Sequence, residues 1–340
     1  MILVILGAGA SYDSVAAAPA GTPAAALYPR LPLADQLFAL REPFRIACEA
    51  YPEIQAILPN LPPRASGSLE AALDEMAAEQ ERHPERGRQL LAIRFYITQI
   101  IRESQKRWCE EHHGELNHAA LFDWLDRYRG GEEVGIVTFN YDTLVERCLV
   151  RRFGSNPDFG AITDGRDGYR LFKLHGSVSW NRIVTTPDVE SARTLRGLLD
   201  KHSEIQLTEN FRMVEAARAE AVYLGGQFMI PAIAVPLAKK SGFECPAGHV
   251  ETLKGLLPEV SRVIVVGWRA GEEHFLSLLK DRVKTTAPLL ILNGGEVGGR
   301  ETHERLRAAG LGGPTPSFGF GFTTGLSGGY VKKWLSGEIQ

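Results

Sequence analysis

Cysteine is scarce in this chain: four in 340 residues, Cys48, Cys109, Cys148 and Cys245, with no C-x-x-C pair anywhere. That argues against a disulfide framework and against a zinc ribbon, and free thiols suit a reducing, cytoplasmic compartment. The nearest approach to a ligand pair is Cys245 with His249, and no metal is expected. Long apolar runs are absent as well. No stretch approaches the ~18 residues of a membrane span. The opening Met-Ile-Leu-Val-Ile-Leu breaks at Gly7 and has no basic residues before it, so it reads as a buried strand and not as a signal peptide. Nor is one charge in excess. The 38 basic and 41 acidic residues leave a net charge of −3, which excludes a bulk basic field for nucleic acid or an anionic membrane. With 44% hydrophobic and 23% charged residues, disorder, collagen and coiled coil are excluded too.

What is present is a series of short apolar runs that end in glycine or polar residues: Ile2 to Leu6, Val134 to Thr138, Tyr169 to Leu174, Phe228 to Val235, Val263 to Val266 and Leu289 to Leu292. Such runs mark strands covered on both faces. Most are followed by helical segments, which predicts an α/β fold with an open, Rossmann-like parallel sheet. Two long stretches interrupt the alternation. The first, about 33–128, carries predicted helices over Leu69 to Glu81 and Gln89 to Glu111. In the latter, Leu90, Ile93, Ile97, Ile100 and Ile101 follow 3–4 spacing and make one buried face. The second, about 188–221, is charged and also reads as helical. Both read as helical insertions forming a smaller lobe within a single domain, and plain packing accounts for most of their residues. Ala10 to Pro32 is rich in Ala, Pro and Gly and reads as a loop directly after the first strand. The glycine-aromatic tail Gly319 to Gly325 is either a closing strand or a segment that reaches the site.

The chemistry-bearing motifs fall at strand ends. Gly7-Ala8-Gly9-Ala10-Ser11 follows the first strand, where small residues let backbone N–H groups approach a pyrophosphate. Position 12 is Tyr12 where the dinucleotide fingerprint wants a third glycine, and no acid ends a second strand ~20 residues on. A hydride-transfer enzyme is therefore disfavoured, and a tight turn with no ligand is the plain alternative. Thr138-Phe139-Asn140-Tyr141-Asp142 follows the strand at 134. Residues there face the ligand crevice of an open sheet, and Asn140 and Asp142 alternate towards one side. Asp142 as a simple helix cap is the alternative. Lys173-Leu174-His175-Gly176-Ser177 places a candidate general base at a third strand end. The other eight histidines read as surface. Val265-Val266-Gly267-Trp268-Arg269 ends a further strand in glycine, which turn geometry alone would also explain, and Asn293 ends the next.

Together these motifs resemble those of the sirtuin family. That family has a Gly-Ala-Gly-x-Ser turn, a Thr-x-Asn-x-Asp loop, a His-Gly pair, a glycine turn after a late strand, and an Asn after the strand beyond. The matches are Gly7 to Ser11, Thr138 to Asp142, His175-Gly176, Gly267 and Asn293, collinear from residue 2 to about 295. Two departures narrow the resemblance. The four-cysteine zinc ribbon of protein-deacylating sirtuins has no counterpart, and neither has their Asp-Phe-Arg triplet. What remains is similar to the sirtuin-like NAD hydrolases of bacterial anti-phage defence, in which helices replace the zinc module. Thr138 to Asp142 and the Gly-Phe-Thr-Thr-Gly tail are typical of that branch.

The resemblance implies an NAD glycohydrolase that releases nicotinamide and ADP-ribose, with NAD as substrate and no metal. It implies that Asn140 holds a ribose hydroxyl or the attacking water, that His175 is the base, and that Asp142 binds the nicotinamide carboxamide. Gly7, Ala8, Gly9 and Ser11 would serve the pyrophosphate, Ala10 and Thr138 would also bind the cofactor, and Gly267, Trp268 and Asn293 would line the adenosine half. Two other readings stay open. One is an NAD-dependent protein deacylase or ADP-ribosyltransferase, disfavoured by the missing zinc module. The other is a module that senses NAD or ADP-ribose without turnover, disfavoured by the presence of both Asn140 and His175. An unguarded NAD hydrolase would poison its host. Restraint is therefore expected from self-assembly into a homo-oligomer, or from a partner chain such as an Argonaute or a HerA-type ATPase. No direct nucleic-acid or membrane binding is expected.

Overall fold

A computed structural model describes residues 1–14, 29–39, 42–61, 68–154, 163–165, 167–215, 220–237, 242–316 and 319–339. Its strands, in chain order, are β1 (Ile2–Leu6), β2 (Val134–Thr138), β3 (Tyr169–Lys173), β4 (Gly176–Thr185), β5 (Gln206–Met213), β6 (Tyr223–Leu224), β7 (Gln227–Ile233), β8 (Arg262–Val266) and β9 (Leu289–Leu292). The chain divides into two compact units. The first comprises Met1–Pro19, Trp108–Leu174 and Ala247–Gln340, and the second Ala20–Arg107 and His175–Pro246.

The first unit carries a five-stranded sheet ordered β3-β2-β1-β8-β9, parallel throughout. Every residue of β1, β2 and β9 is buried, which is why these strands read as unbroken apolar runs and not as alternation. The register is flush at the carboxyl edge. Lys173, Thr138, Leu6, Val266 and Leu292 stand side by side across the sheet. One more ladder bond follows each of the first four: Leu174 N to Thr138 O (3.1 Å), Phe139 N to Leu6 O (3.0 Å), Gly7 N to Val266 O (3.0 Å) and Gly267 N to Leu292 O (2.8 Å). The strand-end motifs therefore start from a common line. The order of strands reverses between β1 and β8, because β2 and β3 add on one side of β1 and β8 and β9 on the other. At such a switch point neighbouring loops leave in opposite directions and open a crevice.

The second unit combines helices with a four-stranded antiparallel sheet ordered β5-β4-β7-β6. The helix expected over Gln89 to Glu111 runs Glu85–His112. Its Ile93, Ile97, Ile100 and Ile101 are buried as the spacing requires, and Leu90 is half-buried. The unit boundary after Arg107 falls within this helix, so the helix Leu116–Tyr128 belongs to the first unit.

Three expectations need correction. The run Phe228 to Val235 is β7, antiparallel, and not a sixth parallel strand. An unbroken apolar run reports burial of both faces, which a central antiparallel strand satisfies equally well. Its Pro231 falls where pairing is already irregular: β6 pairs only with Gln227 and Phe228, and the register with β4 shifts between Gly176 and Asn181. The stretch 188–221 is only partly helical. It holds the helix Leu195–Asp200 between two 3-10 turns, and then β5. The polar, charged sequence of β5 suits an edge strand that must not recruit another chain, and the same polarity hides it from a hydrophobicity reading. The Gly-Phe-Thr-Thr-Gly tail is not a strand. Gly321 caps a short helix, Phe322–Ser327. Within the Ala/Pro/Gly loop, residues 15–28 lie outside the described residues. Among the described residues no helix is long and apolar enough to cross a membrane, and no group of three or more His, Cys, Asp or Glu is placed to hold a metal.

Candidate functional site

The glycine turn is built by a close approach of two loops at the switch point of the first unit. Gly7, in extended conformation, precedes the helix Ala8–Tyr12, and Gly9 N donates to Gly267 O at 3.0 Å. Side chains have no room there. A Cβ on Gly7 would stand 2.5 Å from Gly267 O, and one on Gly267 would stand 2.2 Å from Ala10 N. Gly267 also has φ +59°, in the left-handed region. Turn geometry thus accounts for these glycines. The amide of Ala8 has no backbone partner among the described residues.

A directional hydrogen-bond chain fastens the β2 loop to this turn. Asn140 Nδ2 donates to Gly7 O and to Ser11 Oγ, both at 2.9 Å. Ser11 Oγ donates to Asp142 Oδ2 at 2.6 Å, and Asp142 Oδ1 accepts from Leu144 N at 3.0 Å. Because the Ser11 hydroxyl hydrogen is committed to the carboxylate, Ser11 accepts from Asn140, and this fixes the orientation of the amide. Thr138 Oγ1 accepts from Asn140 N at 3.1 Å and bends the loop back. Asn140 and Asp142 therefore converge on Ser11, as their alternation suggests, and Asp142 also binds the first amide of the helix Leu144–Phe153, one residue ahead of its N-cap Thr143. Asn140 Oδ1 is buried with no partner among the described residues. An acceptor left so is costly, by about 1–3 kcal/mol, and is available to a bound hydroxyl or water.

Behind this chain lies a charged layer that the sequence reading missed. Lys173, 1% exposed, donates to Asp142 O and pairs with Glu146 Oε1 at 2.9 Å. Burial pushes the Glu146 carboxyl up, and Lys173 opposes that shift. The signal was a lysine set among Leu171, Phe172 and Leu174 at the end of its strand, a place that calls for a counter-charge. Removing one partner of such a buried pair typically costs about 3–5 kcal/mol.

His118 corrects the reading of the remaining histidines as surface groups, and so does buried His249. His118 shares the helix face of buried Leu121, Phe122 and Leu125 at 3–4 spacing. Neither of its ring nitrogens has a hydrogen-bond partner among the described residues, and its ring meets Phe322 edge-on at 5.5 Å. Burial holds its pKa down to about 4, against the pull of Asp142 and Glu115. An unfolded histidine titrates near 6.5, so on acidification the unfolded chain takes the proton first. Stability present at pH 7 should therefore fall between about pH 6.5 and 4, by up to about 3 kcal/mol. His118→Leu is expected to shrink the difference in melting temperature between pH 7 and pH 5. An unchanged difference would remove His118 as its source.

The tail reaches the site by holding it. Thr323 donates to the Asp13 carboxylate through N at 3.1 Å and Oγ1 at 2.8 Å. Asn117 Nδ2 donates to Thr323 Oγ1 at 2.7 Å and to Asp13 O at 2.8 Å. Asp13 directly follows the helix Ala8–Tyr12, so the glycine turn is braced from its far end.

Trp268 and Asn293 are packed into the loops after β8 and β9. The Trp268 ring stacks on Phe139 at 5.3 Å and meets Phe275 edge-on. Asn293 Nδ2 donates to Trp268 O at 3.1 Å and to Thr302 Oγ1 at 2.7 Å. His175 is the first residue of the second unit's segment His175–Pro246. It is buried, and its carbonyl accepts from Ala234 N at 2.9 Å. Gly176 beside it has φ +79°, and a Cβ there would stand 1.9 Å from Ala232 O, so the glycine of the His-Gly pair is required by its backbone.

No protein-family model matches the chain, and no curated protein matches it in sequence. Several solved structures are similar to it. One, from work on the mechanism and regulation of Sir2 enzymes, is 13% identical, with 98% of this chain and 90% of that chain covered at a TM-score of 0.42. A Sir2–p53 peptide–NAD+ structure is 16% identical, with 87% and 82% covered at 0.35. Sir2 with the inhibitor EX-527, 2′-O-acetyl-ADP-ribose and a deacetylated p53 peptide is 15% identical, with 87% and 82% covered at 0.35. Superposition at this level assigns no activity to the chain.

Proposed function

We propose that the chain is a sirtuin-like NAD glycohydrolase that cleaves the nicotinamide–ribose bond to give nicotinamide and ADP-ribose. The observation that carries this reading is the chain Asn140–Ser11–Asp142 at the switch point. It joins the β2 loop to a glycine turn too tight for side chains and leaves Asn140 Oδ1 without a partner among the described residues. Nicotinamide leaves NAD from a cationic ring, through an oxocarbenium-like transition state. Such a reaction asks for a positioned ribose, one oriented oxygen and a base, and for no Lewis acid. The Gly7–Ser11 turn, with the Ala8 amide, is assigned the pyrophosphate. Asn140 Oδ1 takes a ribose hydroxyl or the attacking water, and His175 is the base. The Asp142 carboxylate has about four lone-pair sites, so it can accept from the nicotinamide carboxamide without releasing Ser11 or Leu144. Gly267, Trp268 and Asn293 line the adenosine half.

The biological reading is that of an anti-phage effector that depletes NAD in the cytoplasm. Self-assembly, or a partner such as an Argonaute or a HerA-type ATPase, restrains it. The test is chromatography of NAD incubated with the protein in EDTA, paired with calorimetry of NAD and ADP-ribose binding. Nicotinamide and ADP-ribose are expected in equal amounts. Binding that required a stoichiometric metal would overturn the metal-free assignment. Nicotinamide release only with an acyl-peptide would make the chain a deacylase. Binding without turnover, with oligomer-inducing conditions and partners supplied, would make it a sensor.

A further inference from the structure

The second unit contains a cavity of about 660 Å³, within the range of about 300–1,000 Å³ that encloses small-molecule ligands. Much of its wall is apolar, including Leu90, Ile230 and Phe243, and three charged side chains stand in that wall: Arg94, Arg182 and Glu244. Their side chains are only 16%, 13% and 9% exposed. Arg94 reaches one Glu244 oxygen at 3.1 Å, and Arg182 reaches the other at 3.2 Å. One shielded carboxylate therefore serves two guanidiniums. The second carboxylate on Arg182, Glu209, is 79% exposed and screened by solvent.

The donors of the two arginines are used unequally. Arg182 commits Nε to Thr208 O at 2.6 Å, Nη1 to Glu244 and Nη2 to Glu209, and lies over the Phe211 ring at 5.2 Å. Arg94 makes one bond to Glu244 and a long one to Pro231 O at 3.4 Å. A guanidinium has five N–H donors, so most of those on Arg94 are without a partner among the described residues. Desolvating three charges costs several kcal/mol per ion, and apolar residues of similar volume would fill the space without that cost. The wall is also firmly built. The His202 ring in it bonds Leu199 O through Nδ1 at 3.1 Å and packs on Gly87, where a Cβ would stand 2.7 Å from the ring.

We propose that this cavity binds a small molecule bearing an anionic group on a planar or apolar body. Arg94 takes the anion, a phosphate or a carboxylate, with the planar fork that suits both, and the wall at Leu90, Ile230 and Phe243 takes the body. The site lies wholly in the second unit and is independent of the NAD reading.

The experiment is calorimetry on the full chain with 1-naphthyl phosphate and, separately, 1-naphthoate, and with 1-naphthol as the probe that lacks the anion. At least one of the two anions is expected to bind saturably, and 1-naphthol much more weakly. Arg94→Gln should weaken that binding by about tenfold or more. Leu90→Trp, which fills the cavity and leaves the charges in place, should do the same, and it decides the matter if Arg94→Gln does not fold. Ser11→Ala, in the first unit, should leave the binding unchanged. No binding of either anion, or equal binding by both cavity variants, would overturn the proposal. Loss in Ser11→Ala alone would do so too, by assigning the probe to the glycine turn.

Discussion

Replacing His175 with alanine is expected to lower nicotinamide release from NAD by about 10²–10⁴-fold, the usual loss when a general base is removed, while NAD binding survives. The backbone constraint at this position belongs to Gly176, whose φ is +79°, and the bond from Ala234 N goes to the His175 carbonyl; truncating the imidazole touches neither. The pyrophosphate contacts are assigned to the first unit. Asn140→Ala should also abolish turnover but should behave differently in binding. It removes the donor that ties Gly7 O and Ser11 Oγ together. It therefore loosens the glycine turn, at a cost of about 1–3 kcal/mol for the unmade bonds, and weakens NAD as well. Both variants are to be assayed under conditions that activate the wild type, with a melting curve for each, because restraint by a missing partner predicts a silent wild type. A folded His175 variant that turns over NAD within a few-fold of wild type would overturn the mechanism.

Much of this geometry is legible in the sequence, and the illegible parts have identifiable causes. Parallel strands buried on both faces announce themselves as apolar runs, and β1, β2 and β9 fall on the expected residues. Burial of both faces carries no information about strand direction, so β7 was indistinguishable from a parallel strand. The edge strand β5 is polar for the sake of its edge and was lost in a charged stretch. At the site, alternation placed Asn140 and Asp142 on one side of the loop, but their shared partner, Ser11, sits more than a hundred residues away in the chain. Spacing of 3 and 4 puts His118 on the apolar face of its helix, a pattern as readable as that of the long helix at Glu85–His112. Lys173 ends β3 beside the candidate base, yet its partner Glu146 stands at the border of an apolar helix face and looks like a solvent-facing residue until burial is known.

Gly267→Ala is expected to have a large effect on both stability and NAD affinity. An alanine at φ +59° carries a conformational cost of about 1–2 kcal/mol. The larger cost is steric, because the new Cβ would stand 2.2 Å from Ala10 N and 2.3 Å from the Gly9 carbonyl carbon. Those are backbone atoms, and no rotamer change relieves the contact. The two loops must part, and the 3.0 Å bond from Gly9 N to Gly267 O goes with them. A loss of about 3–5 kcal/mol is expected, in the range of overpacked or strained core positions. NAD affinity should fall further than stability alone dictates, because the amides assigned to the pyrophosphate move with the turn. Gly271→Ala is the control. A Cβ there meets nothing within 4 Å among the described residues, and its effect should stay within about 0.5 kcal/mol. Melting curves and NAD calorimetry on both variants separate the contributions. A Gly267 variant that melts like wild type would show that the two loops are not held at this distance. One that melts lower yet binds NAD with wild-type affinity would remove the pyrophosphate from the Gly7–Ser11 turn and, with it, the assignment on which the proposed activity depends.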